Sequence, residues 1–452
     1  MAKIRDYQPL FKAYDIRGVF PKELDKTFAC ELGKAFVLFT GAKEVAVGYD
    51  GRTSSKPLFE SLAKGIMDQG ANVVDLGLCS TPKCYFSVLE GKYDAGIMIT
   101  ASHNPKEFNG FKLMGKKADP IFSENGSFDI LEIIKKQQYP KFKKKGKVKK
   151  ANWSKEYVKF LKTIFPKTRE FLEKSKTFKL VVDQSNGSGA EEVQVLKETF
   201  PKIKIINQKV SGSFPGHSPD PLKIENRKGL VMEIKKNKAS IGIIFDGDAD
   251  RVCFVDEKGE FIRPDIVLNL LAEDVKRGTI VYDTRSSRAV WELAEKRGLK
   301  SIMSKAGRTY LIQTMKQEQA EIGAENSGHF FFKEFSYLDN AGICAIKLLS
   351  KLIAQSVPLS EIVSKNNLYF HSGEINFKVK NQSKAFLLAE QAFTDAKKIL
   401  FIDGLSVYYD NYWFNVRKSN TENIIRINAE ATNKKDLDIL LKKLNNIIAF
   451  AK

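Results

Sequence analysis

The stretch AGIMITASHNP (residues 95–105) decides the fold, because an apolar strand signal runs directly into a polar loop. The same arrangement occurs at SIGIIF (240–245) before DGDADR (246–251), and more weakly at QAEIGA (319–324) before ENSGH (325–329). Strands that are apolar throughout are typical of parallel sheets with both faces covered. The sequence therefore predicts buried strands that each end in a polar loop.

Segments with helical character alternate with these strands, and the alternation predicts βαβ units. They are SKPLFESLAKGIMDQG (55–70), EEVQVLKETF (191–200) and SSRAVWELAEKRG (286–298). Ligands of open α/β sheets bind beyond the carboxyl ends of the strands. We therefore expect the three polar loops to converge on one cleft.

The length of 452 residues exceeds one ordinary core, which predicts several domains. We predict three related α/β domains with mixed or parallel sheets and a smaller C-terminal α+β domain, around a central cleft. The last region has strand patterns at 371–379 and 423–431 and a helix pattern at 435–451. The predicted domains are residues 1–150, 151–256, 257–368 and 369–452.

The composition favours a cytoplasmic protein that binds neither nucleic acid nor membrane. The net charge is +20, but the densest basic run, KFKKKGKVKK (141–150), has one aromatic residue and is interpreted as a solvated linker. No apolar run approaches the roughly 18–20 residues of a membrane span, and no apolar signal segment follows the N-terminus. The five cysteines are scattered without a C-x-x-C pair, which indicates reduced thiols rather than zinc or disulfides.

The loop DGDADR places Asp246, Asp248 and Asp250 at alternate positions after a strand. Three carboxylates in a curving loop suit a hard cation, Mg²⁺ or Ca²⁺. An EF-hand is excluded, because Arg251 takes the position that requires glycine and a strand, VCFVD, follows. An acidic solvated turn is the simpler alternative. The spacing favours a metal site.

Ser102 lies beside His103, which suggests a nucleophile and its base. Adjacent residues rarely have that geometry, His103 points elsewhere if the turn is extended, and no G-x-S-x-G motif surrounds the serine. A phosphoserine would instead carry about −1.5 to −2 charge and offer an oxygen to a metal. We therefore predict that Ser102 carries a phosphoryl group next to the cation, with His103 as a secondary contact.

Two further loops have the chemistry of a sugar phosphate site. In ENSGH, Glu325, Ser327 and His329 combine acceptors and donors that suit vicinal hydroxyls, although small polar loops are often simple turns. A loop near the C-terminus suits a non-reacting phosphate, with a basic surface loop as the alternative. Its candidate residues are Arg417, Ser419, Asn420, Thr421 and Arg426.

With these loops in this order, the chain resembles the α-D-phosphohexomutases, most closely the bacterial phosphomannomutase/phosphoglucomutase group. The resemblance covers nearly the whole length. Its motifs are FKAYDIRG (11–18), VAVGYDGR (45–52), TASHNPKEFNGFK (100–112), FPGHSPDP (214–221), DGDADR, ENSGH and RKSNTE (417–422).

The resemblance implies that phospho-Ser102 transfers its phosphoryl group to a hexose 1-phosphate or 6-phosphate of mannose or glucose. The product, a hexose 1,6-bisphosphate such as glucose 1,6-bisphosphate, is the intermediate, which reorients in the site, and it also serves as activator. Mg²⁺ would be bound by Asp246, Asp248, Asp250 and Ser102. The four domains would supply the phosphoserine, metal and sugar loops and a phosphate-binding lid, in a monomer or weak dimer.

The resemblance also assigns roles by matched position. Arg17 and Lys112 flank the phosphoserine as electrostatic or acid–base helpers, with Tyr14 nearby, and Arg251 stabilises the same charge. Glu325, Ser327 and His329 would bind the sugar, and the C-terminal loop would bind the spectator phosphate. Further candidate substrate-binding residues are Arg285, Lys305 and Arg308.

This sequence departs from the family at four places. Asn326 follows Glu325, Arg285 stands where a lysine is expected, Arg308 where histidine is common, and Asn423 where proline is common. None removes a catalytic ligand, but all bear on the preferred sugar. A phosphoglucosamine mutase, a non-catalytic phosphosugar or nucleic-acid binding protein, and a hydrolase using Ser102 are the alternatives.

Overall fold

The computed structural model describes residues 6–418 and 423–449. The chain divides into two compact units. Unit 1 comprises residues 1–262 and 327–360, and unit 2 comprises residues 263–326 and 361–452. The polar loops predicted to carry the phosphoserine and the metal both lie in unit 1.

The first sheet of unit 1 is mixed. Its strands are β1 (Ile16–Val19), β2 (Glu44–Tyr49), β3 (Asn72–Leu78), β4 (Ala95–Ile99), β5 (Phe108–Met114), β6 (Pro120–Ile121) and β7 (Val148–Lys150). Its helices are α1 (Lys26–Thr40), α2 (Ser55–Asp68), α3 (Thr81–Glu90) and α4 (Ser127–Lys136). The order is β1-β5-β4-β2-β3-β7, with β6 on β5. Strands β4, β2, β3 and β7 run parallel, and β5 is antiparallel to β4.

Burial explains this sheet. All five residues of β4 are buried, as expected for a strand covered on both faces. Helices α1 and α2 pack closely at Gly65, where a Cβ would come within 2.0 Å of the Cys30 carbonyl oxygen. The glycine therefore allows the two helix backbones to touch.

The second sheet of unit 1 has the order β12-β11-β10-β8-β9. Its elements are α5 (Ser154–Thr163), α6 (Arg169–Ser175), β8 (Leu180–Asp183), α7 (Ala190–Thr199), β9 (Ile203–Ile206), α8 (Ile224–Asn237), β10 (Ile241–Phe245), β11 (Val252–Asp256) and β12 (Phe261–Ile262). Strands β10, β8 and β9 are parallel, and β11 is antiparallel to β10. The turn at 256–260 joins β11 to β12 inside this sheet.

The next segment contributes to both units. In unit 2 it forms α9 (Pro264–Ala272), β13 (Thr279–Asp283), α10 (Ala289–Lys296), β14 (Lys300–Ser304), α11 (Arg308–Glu318) and β15 (Ile322–Ala324). These strands are parallel in the order β14-β13-β15. In unit 1 it forms the antiparallel pair β16 (Phe330–Phe332) and β17 (Leu338–Asp339) and the helix α12 (Ala341–Gln355). Helix α13 (Leu359–Asn366) follows.

The C-terminal part of unit 2 is an antiparallel sheet with helices. Its elements are β18 (Phe370–Lys378), α14 (Gln382–Gln391), β19 (Lys398–Leu400), β20 (Leu405–Tyr408), β21 (Tyr412–Lys418), β22 (Ile424–Ala431) and α15 (Lys434–Ala449). The order is β18-β22-β21-β20-β19. The predicted α/β class with a C-terminal α+β part is confirmed.

Two local predictions differ from the structure. The Lys-rich run 141–150 was expected to be linker throughout, yet its last three residues form β7, which pairs with β3 at the edge of the first sheet. An edge strand tolerates lysines because one side of its backbone stays solvated. In QAEIGA only the last three residues are strand, because α11 ends at Glu318.

Within residues 6–418 and 423–449, no single helix has the length and hydropathy needed to span a membrane. By length and composition alone, the bent pair of α12 and α13 passes that test together.

Candidate active site

The three aspartates of the metal loop form a buried cluster at the carboxyl end of β10. Asp246, Asp248 and Asp250 are inaccessible to solvent, and each offers an oxygen within 4.8 Å of the others. Oδ1 of Asp248 is buried and has no hydrogen-bond partner among the described residues. A buried carboxylate oxygen without a donor suits a cation ligand, and an all-oxygen ligand set suits Mg²⁺. The residues therefore fit the predicted metal.

Ser102 lies against this cluster. Its Oγ donates a hydrogen bond to Oδ2 of Asp246 at 2.6 Å, and the residue is 1% exposed. Ser102 adopts a left-handed conformation, with φ of 51°. The two loops touch at Gly247, where a Cβ would come within 2.6 Å of the Ser102 carbonyl oxygen, so only glycine allows this approach. The structure thus brings the predicted phosphorylation site and metal site together.

His103 is closer to the serine than an extended turn would place it. Its Nδ1 lies 3.3 Å from Ser102 Oγ, because the positive φ of Ser102 makes the turn tight rather than extended. That condition of the prediction was wrong. Burial, together with the charges of Arg251 and Arg17, lowers the pKa of His103 well below its usual value. The imidazole is therefore neutral in the pH range where enzymes work.

The serine loop is fixed by an arginine that the sequence analysis gave no role. The guanidinium of Arg52 donates to four backbone carbonyls, those of Ser102, Asn104, Pro105 and Phe108, at 2.6–3.0 Å. Its Nε donates to Asp50, which also accepts from Thr100. The only sequence signal was its place in the motif VAVGYDGR.

Two predicted cationic residues border the loops. Nζ of Lys112 donates to Oδ2 of Asp248 at 2.6 Å and also contacts Asp250. Arg17 donates to the Ala101 carbonyl at 3.2 Å and to the side chain of Asn104, and forms an ion pair with Asp15. Tyr14 lies half-buried in the segment before β1.

Arg251, the last residue of the metal loop, and His329 both contact aspartates of this loop. The backbone N–H of Arg251 donates to Oδ1 of Asp246, and Nε2 of His329 lies 3.3 Å from Oδ1 of Asp250 and 3.4 Å from Nε of Arg251. Ser327 lies 2.8 Å from Nδ1 of the same histidine. Of the predicted sugar-binding residues, His329 therefore borders the metal cluster, and Ser327 contacts that histidine.

The three carboxyl groups of the cluster differ in their pKa values. Burial and the carboxylates of Asp248 and Asp250 raise the pKa of Asp246 well above its usual value. Burial opposes ionisation of Asp248 as well, but the charge of Lys112 and hydrogen bonds from Lys112 and Thr81 lower its pKa overall. Lys112 and His329 likewise hold the pKa of Asp250 well below its usual value, against the effect of burial. Without a cation, Asp246 is therefore the most readily protonated of the three carboxylates.

In unit 2, Arg285 and Glu325 form an ion pair at 2.9 Å, and Arg285 also pairs with Asp283. Desolvation works against the charge of Arg285, but both carboxylates together raise its pKa above the usual value. Lys305 is exposed and lies over the ring of Tyr310. Arg308 is the first residue of α11. Arg285, Lys305 and Glu325 lie just after strands β13, β14 and β15, and Arg308 begins α11.

The predicted phosphate loop is partly described. Arg417 donates to Glu374 at 2.7 Å and to Asp403 at 3.4 Å, and Arg426 lies 3.7 Å from Glu374. Neither carboxylate was foreseen, because both are far from the loop in sequence. The remaining predicted members, Ser419, Asn420 and Thr421, lie outside the described residues.

The chain matches four domains of one family in sequence order. They are phosphoglucomutase/phosphomannomutase alpha/beta/alpha domain I at residues 8–141, domain II at 155–259, domain III at 263–369, and the C-terminal domain at 374–446. The chain therefore belongs to the phosphoglucomutase/phosphomannomutase family. It is a mutase, an enzyme that transfers a phosphoryl group within its substrate, and the predicted family resemblance is confirmed.

Named relatives agree with this class. A phosphomannomutase of Methanocaldococcus jannaschii is 38% identical over 97% of both chains. A phosphoglucomutase of Neisseria meningitidis is 31% identical over 97% of this chain and 95% of its own. The crystal structure of a phosphoglucomutase/phosphomannomutase family protein from Burkholderia thailandensis superposes with a TM-score of 0.88 at 29% identity, covering 98% of this chain and 97% of that one.

Proposed function

We propose that the protein interconverts hexose 1-phosphates and hexose 6-phosphates of mannose and glucose through a phosphoserine at Ser102. The observation that carries the proposal is the 2.6 Å hydrogen bond between Ser102 Oγ and Asp246, which places the serine oxygen on the acidic cluster. A simple hydrolytic serine has no need of three buried carboxylates beside it, because they disfavour its alkoxide.

The reaction begins with phospho-Ser102 and a hexose monophosphate. The free hydroxyl of the sugar attacks phosphorus and gives its proton to a nearby base, the bond to Ser102 Oγ breaks, and the released serine oxygen takes up a proton from a nearby acid. The resulting hexose 1,6-bisphosphate then reorients so that its other phosphoryl group faces Ser102. The serine takes that phosphoryl group by the reverse step. The net result is an isomerised sugar phosphate and a regenerated phosphoserine.

Residues of the chain are assigned to these steps as follows. Asp246, Asp248, Asp250 and a phosphoserine oxygen would bind Mg²⁺, which supplies charge neutralisation at the transferring phosphoryl group. Lys112 and Arg17 add positive charge, and Lys112 is also a candidate to exchange the proton. Arg251 would orient His329 through its Nε, and its backbone N–H donates a hydrogen bond to the Asp246 carboxylate.

The remaining candidates would bind the substrate without reacting. Glu325, Ser327 and His329 suit sugar hydroxyls, and Arg285, Lys305 and Arg308 suit either hydroxyls or a phosphate. The C-terminal loop, from Arg417 to Arg426, suits the spectator phosphate. The four domain boundaries, the cytoplasmic location and the monomeric or weakly dimeric state remain predictions of the same proposal.

A coupled assay tests the proposal. Purified protein with Mg²⁺ and glucose 1,6-bisphosphate is given mannose 1-phosphate, glucose 1-phosphate or glucosamine 1-phosphate, and the 6-phosphate is measured. We expect turnover of the first two, and intact mass should show one phosphate that disappears in Ser102→Ala. Ser213→Ala, an exposed loop serine, is the matched control.

Three results would contradict the proposal. Preferred turnover of glucosamine phosphate would indicate a phosphoglucosamine mutase. Steady release of inorganic phosphate would indicate a hydrolase. Absence of both activity and phosphate, with unchanged behaviour of Ser102→Ala, would indicate a binding protein.

A further inference from the structure

Thr81, the first residue of α3, makes two hydrogen bonds to one aspartate of the metal loop. Its Oγ1 donates to Oδ2 of Asp248 at 2.6 Å, and its backbone N–H donates to the Asp248 carbonyl at 2.9 Å. Both residues are fully buried. The start of α3, a helix beside the first sheet, is therefore hydrogen-bonded to the loop that follows β10 of the second sheet.

These bonds distinguish the two carboxylate oxygens of Asp248. Oδ2 of Asp248 accepts from both Thr81 and Lys112, whereas Oδ1 has no hydrogen-bond partner in the part of the chain that the structure describes. Two donors on one oxygen hold the plane of the carboxylate and leave the other oxygen for a ligand. Partners of this kind orient metal-binding carboxylates in proteins.

The start of α3 is itself anchored on α7. Oγ of Ser80 donates to Glu192 at 2.7 Å, and Nζ of Lys83 donates to Glu191 at 2.6 Å. Because the residues on either side of Thr81 are bound to the same helix, the threonine hydroxyl has a fixed position. It can therefore transmit that position to Asp248.

We propose that Thr81 is a positioning residue that orients Asp248 for binding a divalent cation. The inference rests on the proposed Mg²⁺ site. Among the described residues, the hydroxyl and the backbone N–H of Thr81 both donate to Asp248, so the threonine acts through that residue. The backbone hydrogen bond fixes the position of the Asp248 backbone, and the hydroxyl hydrogen bond fixes the rotation of the Asp248 side chain.

Calorimetric titration of Mg²⁺ into the metal-free, dephosphorylated enzyme tests this role without any measurement of turnover. Thr81→Val keeps the branched shape and the backbone N–H but removes the hydroxyl, and we expect it to bind Mg²⁺ roughly 10- to 100-fold more weakly. Thr81→Ser restores the donor and should bind within about threefold of the natural protein, a change too small to indicate a lost ligand partner. Thr199→Val is the matched control, because its hydroxyl only donates to a carbonyl within α7.

Melting in EDTA shows whether each variant folds, and the gain in melting temperature on adding Mg²⁺ provides a second readout. If Thr81→Val does not fold, Thr81→Ala removes the same hydroxyl without adding a methyl group, and carries the same expectation. Natural affinity in the hydroxyl-free variant, with binding abolished in Asp248→Ala, would overturn the role of Thr81. Natural affinity in Asp248→Ala as well would instead overturn the proposed metal site.

Discussion

Nζ of Lys112 donates a 2.6 Å hydrogen bond to Oδ2 of Asp248, one of the three buried aspartates of the metal loop. The same ammonium contacts Asp250, and the lysine side chain is 7% exposed. One positive charge thus serves two buried carboxylates. In the absence of Mg²⁺ it is the principal counter-charge that lowers their pKa values.

Lys112→Met is expected to destabilise the metal-free protein and to slow catalysis. Leaving buried charges without their partner costs about 3–5 kcal/mol of unfolding free energy, and Mg²⁺ should recover part of it. Loss of one preorganised charge at the phosphoryl group should lower kcat by roughly 10²–10³-fold. Denaturant unfolding with EDTA and with Mg²⁺ measures the first effect.

The control for this variant is Lys149→Met, which breaks an exposed ion pair with Glu44. Such a pair contributes at most about 1 kcal/mol, so both stability and kcat should stay close to natural values. Equal stability of Lys112→Met and the natural protein in EDTA would show that the carboxylates are neutral without their lysine.

Arg52→Lys is expected to lower kcat by about 100-fold while changing KM little, because displacement of a reacting group by about 1 Å costs that much. A lysine retains the charge but cannot reach four carbonyls with one ammonium group. Steady-state kinetics measure the effect, and melting temperature confirms folding. Arg169→Lys, on an exposed helical ion pair, is the control. Natural kcat in Arg52→Lys would mean that the loop holds its shape without the guanidinium.

Residue patterns along the chain predicted the functional loops but not the residues that hold these loops in place. Ser102 and Asp246 could be brought together by reasoning, since both follow strands buried on both faces. Arg52 and Thr81 could not, because their partners depend on the left-handed turn at Ser102 and on where α3 begins. The 3.3 Å approach of His103 to Ser102 Oγ depends on the same turn. Tertiary geometry, which local pattern does not encode, decides these contacts.

Glu192 is expected to make stability depend on pH. It is buried, one of its oxygens accepts from Ser80 and Tyr157, and the other has no partner within residues 6–418 and 423–449. Burial and the nearby Glu191 raise its pKa from 4.5 to about 7. The folded state therefore binds a proton that the unfolded state releases, and stability is lost as pH rises from about 4.5 through 7.

Glu192→Gln removes this titration and keeps an acceptor for Ser80 and Tyr157. Relative to the natural protein, its melting temperature should rise with pH between 5 and 8 and then level off, by an amount corresponding to about 3 kcal/mol. Thermal melts across that pH range measure the difference. Glu260→Gln, at an exposed turn, should show no such trend. A difference that is constant with pH would show that Glu192 stays ionised in the fold.

Arg417 is held by two carboxylates, which a phosphate bound to this arginine would have to displace. Glu374 accepts from one of its terminal nitrogens and Asp403 from the other. If the loop binds the spectator phosphate, Arg417→Lys loses the paired geometry and should raise KM roughly tenfold with kcat little changed, because such binding is equal in ground and transition states. Glu374→Gln removes a competing charge and should lower KM instead. Initial rates at low and high salt measure both, with Glu361→Gln, on an exposed helical ion pair, as the control. Opposite shifts in the two variants would support a phosphate site, whereas unchanged KM in both would place the spectator phosphate elsewhere.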